Sequence, residues 1–173
     1  MQIVLIGYMG SGKSTVAKHL SAALSYEKID LDSVIEDSEG KPITDIFSES
    51  GEIYFRKREG LLLREVIKTK NNIVLATGGG TPCYGNLMEF LKSQTDVITV
   101  YLNASAALLT KRLMAEKDAR PIISHLKSEV QLNEFVRKHL FERAFYYNQA
   151  QLRLSTDALS EEEVVAKIVA SLY

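Results

Sequence analysis

Gln2-Ile3-Val4-Leu5-Ile6-Gly7-Tyr8-Met9-Gly10-Ser11-Gly12-Lys13-Ser14-Thr15 opens the chain and changes character twice within fourteen residues. The run from Gln2 to Ile6, rich in Ile and Val, reads as a strand buried on both faces. Gly7 to Ser14 then fits the spacing G-x-x-x-x-G-K-[ST], and from Ser14 to Leu24 the apolar residues recur at helical intervals. Strand, glycine loop and helix in that order are the context in which this spacing cradles phosphate. Gly10 and Gly12, on either side of Ser11, admit backbone conformations that turn successive N–H groups inward on an anion. The helix start adds the positive end of its dipole. In such a loop Lys13 reaches the β- and γ-phosphates, the Ser14 hydroxyl binds Mg²⁺ and the Thr15 hydroxyl meets the α-phosphate. The spacing alone does not choose among ATPases, GTPases, transporters and small-molecule kinases.

Outward from the loop, apolar runs at Ile73–Ala76 and Val97–Leu102 repeat the buried-strand pattern, with weaker ones at Glu27–Asp30 and Gln151–Leu154. Helical spacing fills the intervals at Gly60–Ile67, Leu87–Leu91 and Ala104–Met114. The alternation predicts a doubly wound α/β fold with a five-stranded parallel sheet. Ser160 and Glu163 form a capping box ahead of Val164, Val165, Ile168, Val169 and Leu172, which predicts a closing helix. No repeat or composition break divides the 173 residues, so one domain over 1–173 is expected. The polar stretch Ala115–Lys127 reads as a surface loop able to close over phosphates.

Composition excludes several functions. A net charge of −1 lacks the basic footprint of a nucleic-acid binder. No apolar run reaches the ~20 residues that span a bilayer. The single cysteine, Cys83, cannot form an internal disulfide, and no signal-type segment precedes the first strand, so the cytoplasm is the expected compartment. Nothing near Cys83 in sequence would activate its thiol.

The acceptor side begins at Asp30-Leu31-Asp32, at the carboxyl edge of the second strand, where ligands bind in open parallel sheets. In an extended segment both carboxylates share a side. One can then hold the Mg²⁺ shell while the other accepts a hydrogen bond from an attacking hydroxyl, with helix capping as the alternative for Asp32. Gly51–Glu59 is a charged helical stretch, and Thr77-Gly78-Gly79-Gly80 after the third strand exposes bare backbone beside the loop. Arg120-Pro121 lies in the polar loop, and Arg143 and Tyr147 lie on the helix before the last strand.

In this order Gly7–Thr15, Asp30-x-Asp32, Gly51-Glu52-x-x-Phe55-Arg56-x-x-Glu59, Thr77-Gly78-Gly79-Gly80, Arg120-Pro121 and Arg143-x-x-x-Tyr147 resemble the shikimate kinase family, over nearly the whole chain. The resemblance implies strand order 2-3-1-4-5, a substrate-binding helical segment over about 32–60 and a lid over about 115–127. It implies that Asp32 binds the acceptor hydroxyls, Arg56 and Arg143 its carboxylate and Gly79 its ring, beside Gly78 and Gly80. Arg120 closes over ATP and Asp30 acts on Mg²⁺ through water. The implied reaction phosphorylates the 3-hydroxyl of shikimate in aromatic amino-acid biosynthesis, with ATP as co-substrate and a monomer expected. Two arginines also suit a planar carboxylate on chemical grounds, because each guanidinium can bind it bidentately. Arg112 is a candidate for stacking on adenine, or else a solvated helix arginine. A gluconate-type or nucleoside monophosphate kinase of the same fold, or an ATP-binding module without turnover, stays open at this point.

Overall fold

β1 (Gln2–Ile6) is buried along its whole length because it is the middle strand of five. The computed structural model describes residues 1–116 and 121–173. β2 (Glu27–Asp30), β3 (Ile73–Ala76), β4 (Val97–Asn103) and β5 (Leu152–Ser155) complete a parallel sheet in the order β2-β3-β1-β4-β5, as expected. The last strand sits one residue later than its apolar pattern suggested, since in this edge strand only Leu152 and Leu154 are turned inward.

Side chains alternate across β1. Ile3 and Leu5 pack on α1 (Lys13–Leu24) and α8 (Glu161–Leu172), with Val16, Leu20 and Ile168 beneath them. Val4 and Ile6 face the opposite layer, which contains α2 (Leu31–Glu39), α3 (Ile43–Thr69), α4 (Leu87–Ser93), α5 (Ala106–Ala115) and α7 (Glu129–Tyr147). A short α6 (Pro121–Ser124) precedes α7. Serines set the starts: Ser105, Ser128 and Ser160 accept from backbone N–H groups of α5, α7 and α8, and Ser160 with Glu163 forms the expected capping box.

Two local readings change. Only Asp30 ends β2; its carboxylate accepts the Asp32 N–H at 3.1 Å and so caps α2, which places Asp32 in the first helical turn. The capping role weighed for Asp32 thus belongs to Asp30. The charged stretch from Gly51 is helical as expected, but a further helical stretch from Ile43 leads into it: α3 is two helices that meet at a kink at Gly51, where φ is 80° and ψ 173°.

Candidate active site

Parallel pairing delivers the site. Asp30 lies opposite Ala76, and Ala76 opposite Leu5, so β2, β3 and β1 end in nearly one row. The loop from Gly7, the start of α2 and the glycine turn after β3 therefore leave the sheet side by side. They wall a cleft of about 500 Å³ lined by Gly10, Ser11, Gly12, Lys13, Ser14, Thr15, Asp30, Asp32, Gly78, Gly79 and Arg112.

The loop needs its glycines. Gly10 and Gly12 hold φ of 80° and 91°, and a Cβ on Gly7 would stand 2.8 Å from the Leu102 carbonyl. The Lys13 ammonium donates to the carbonyls of Gly7 and Tyr8, both at 2.8 Å, which holds it across the loop where an anion would sit. The Ser14 hydroxyl donates to Asp30 at 3.2 Å, bringing two hard oxygen donors together at the helix start. Arg112 donates to the Gly10 carbonyl at 3.0 Å, so its guanidinium lies on the loop rather than free in solvent.

Asp32 is reached by solvent through the cleft, yet protein surrounds its carboxyl closely enough to push its pKa from 3.8 to about 6. Burial is the largest cause, the nearby carboxylates of Asp30, Glu59 and Glu36 add to it, and Lys13 pulls the other way.

Each of the three glycines faces a side chain that needs the space. A Cβ on Gly78 would meet Thr81, Glu59 and Asp32 at 3.1, 3.3 and 3.5 Å. One on Gly79 would meet the Met9 backbone nitrogen at 3.2 Å and Arg143 at 3.4 Å, and one on Gly80 would meet the Arg56 guanidinium at 2.7 Å. Both arginines thus press on one turn, beside the cleft lining. Cys83, at the end of that turn, feels both cations, but burial outweighs them and raises its thiol to about 11, so it is inert as expected.

The two arginines are held differently. Arg56 donates to Glu59 at 2.9 Å, lies 4.1 Å over the Tyr84 ring, and faces Glu52 at 3.5 Å without a hydrogen bond from its buried Nε. Arg143 is half-buried, lies 5.3 Å over the Tyr8 ring and has no acidic partner among the described residues.

A family model described as shikimate kinase matches residues 9–173. The chain belongs to the shikimate kinase family. Shikimate kinases of Flavobacterium johnsoniae and Flavobacterium psychrophilum are 43% and 41% identical to it, over 97% and 99% of this chain and 96% and 99% of theirs. A crystal structure of shikimate kinase from Bacteroides thetaiotaomicron superposes with a TM-score of 0.90 at 36% identity, covering 99% of this chain and 98% of that one. The Acinetobacter baumannii shikimate kinase in complex with shikimate gives 0.85 at 34%, covering 99% and 92%.

Of the positions that the resemblance to shikimate kinases singled out, the loop residues, Asp30, Asp32, Gly78 and Gly79 share one cleft, and Gly80, Arg56 and Arg143 stand beside it. Arg120 lies outside the described residues. Sequence reasoning gave no role to Glu59, which is fully buried and accepts from both Arg56 and Thr81, the latter at 2.6 Å. Its spacing of three from Arg56 on one helix was the available signal. Tyr8 and His139, joined by a 2.9 Å hydrogen bond, were also missed. No helix of the described residues is long and apolar enough to cross a membrane.

Proposed function

We propose that this kinase transfers the γ-phosphate of ATP to the 3-hydroxyl of shikimate, giving shikimate 3-phosphate and ADP, and that it does so as a cytoplasmic monomer of one domain with no nucleic-acid partner. The observation that carries the choice of acceptor is Arg143, a half-buried guanidinium without an acidic partner among the described residues, set beside Arg56 on the Gly79–Gly80 turn. Such a cation is suited to an external anion, and a carboxylate fits two adjacent guanidiniums.

Held by Arg56 and Arg143, the acceptor presents its hydroxyl to Asp32. Its oxygen attacks the γ-phosphorus, the bond from phosphorus to the β,γ-bridging oxygen breaks, and the hydroxyl proton passes to the Asp32 carboxylate. A carboxyl raised to about 6 is still ionised near neutrality and is a stronger base than an ordinary aspartate. Lys13 and the inward N–H groups of Gly10–Ser14 hold the phosphates, Thr15 reaches the α-phosphate, and Arg112 on the loop borders the adenine end. Ser14 and Asp30, 3.2 Å apart, supply hard oxygen donors that fit Mg²⁺. Bound there, Mg²⁺ would neutralise charge on the phosphates. Acceptor contacts fall to α2 and to α3 as far as Gly60, within 32–60, with Arg56 beyond the kink at Gly51. For Arg120 the resemblance supports a role in the lid, over 115–127, where it would steady the transferring group.

The test is ADP release with Mg-ATP and shikimate, gluconate, nucleoside monophosphates or no acceptor, side by side. Turnover with shikimate alone is expected. Turnover with a different acceptor, or with none, would overturn the assignment.

A further inference from the structure

His139, Arg143 and Tyr147 stand four residues apart on α7 and so share one face of the helix. Each engages the site. Tyr147 donates from its hydroxyl to the Gly79 carbonyl, Arg143 stands against Gly79, and the His139 Nδ1 shares a hydrogen bond with the Tyr8 hydroxyl. Tyr8 belongs to the phosphate loop. Its ring is 1% exposed, packs under the Arg143 guanidinium, and its own carbonyl accepts from Lys13. One residue therefore touches the lysine of the nucleotide side and the arginine of the acceptor side, and its only side-chain polar group is tied to α7.

We propose that the Tyr8–His139 pair is a positioning device that sets Arg143 at the height the acceptor's carboxylate requires. The inference rests on the reading of Arg143 as a carboxylate-binding residue. The phenol keeps its proton, because burial raises Tyr8 to about 12, and burial with Arg143 lowers His139 below its usual range, so the imidazole is neutral near pH 7. A neutral imidazole can accept at Nδ1 and adds no positive charge beside Arg143. Without that bond the ring under Arg143 can tilt. A cation resting on an aromatic face follows the ring, since the attraction is strongest over its centre.

Tyr8→Phe keeps the ring, the packing and the backbone carbonyl and removes only the hydroxyl. It should raise the KM for shikimate about fivefold, the worth of one neutral hydrogen bond, while kcat and the KM for ATP stay within about twofold. His139→Ala should match it, the double variant should be no worse than either single one, and His139→Asn, whose amide oxygen can stand where Nδ1 accepts, should restore the acceptor KM. A purely structural role would lower the melting temperature without this KM split and without rescue by Asn. Arg143→Ala is measured alongside. If it leaves the acceptor KM unchanged, the reading of Arg143 fails and this proposal with it. If Arg143→Ala raises KM while Tyr8→Phe does not, the positioning role alone is refuted. Additive losses in the double variant would also overturn it.

Discussion

Replacing Asp32 by Asn should make the protein more stable while removing most of its activity. Folding raises the carboxyl from 3.8 to about 6, so ionising it in the folded chain is disfavoured by about 3 kcal/mol relative to the unfolded one. Solvent enters the cleft and screens the charge, which cuts that figure by about half. Asn also forfeits a negative charge in the first turn of α2, worth about 0.5 kcal/mol. A net gain of about 1 kcal/mol remains, or a rise of about 2–4 °C in melting temperature for a chain of this size. The folded state binds this proton more tightly than the unfolded state, so the penalty is absent below pH 3.8 and complete above about pH 6. Thermal melts of both proteins near pH 8 should therefore show the gain, and melts near pH 4 should show little. In the same preparation kcat should fall by at least ~10²-fold, the usual loss when a positioned base is removed. An equal difference at both pH values, or a less stable variant near pH 8, would refute the electrostatic account of Asp32.

Glu59→Ala removes the acceptor that Arg56 and Thr81 share in a fully buried position, so urea denaturation should show a loss of about 3 kcal/mol; a loss below about 1 would mean that the pair is not a structural tie. Gly80→Ala puts a methyl group 2.7 Å from an Arg56 guanidinium already pinned by Glu59 and Tyr84, and should raise the acceptor KM about tenfold with a small change in melting temperature. Gly51→Ala meets no neighbouring atom within 4 Å, but φ of 80° with ψ of 173° is a glycine-only backbone, so strain alone should destabilise the protein by about 2 kcal/mol in urea denaturation.

The central strands were legible because burial on both faces leaves a continuous apolar run, as in β1, β3 and β4. Edge strands carry a thinner signal. β2 buries only Ile29 of its four residues, and β5 was placed one residue early for the same reason. Periodicity did not show α2, because nine residues hold too few periods and its start reads equally as the end of a strand; only the resemblance implied a helical segment there. The stretch of α3 ahead of Gly51 is too short to show for the same reason, since the kink there separates it from the longer helix that follows.

Legibility of the site follows a different rule, which is whether a residue's role is fixed locally. The phosphate loop declares itself because the backbone does the binding, and glycines at fixed offsets are what that backbone requires. Arg112 meets Gly10 across 102 positions and Tyr8 meets His139 across 131, and neither contact leaves a mark on its own neighbourhood. The glycine turn lies between these cases. Its three glycines are visible, but most of their cause is remote: Glu59 and Asp32 beside Thr81 against Gly78, the Met9 backbone and Arg143 against Gly79, Arg56 against Gly80. They give up side chains so that charged groups from three helices can converge on one turn. Burial is the chief cause of the raised Asp32 and the convergence of carboxylates adds to it, and two of the groups that crowd Gly78, Glu59 and Asp32 itself, belong to that cluster. Removing the charge of Asp32 should therefore stabilise the fold and weaken the chemistry together, whereas removing Glu59, which ties Arg56 and Thr81, should not.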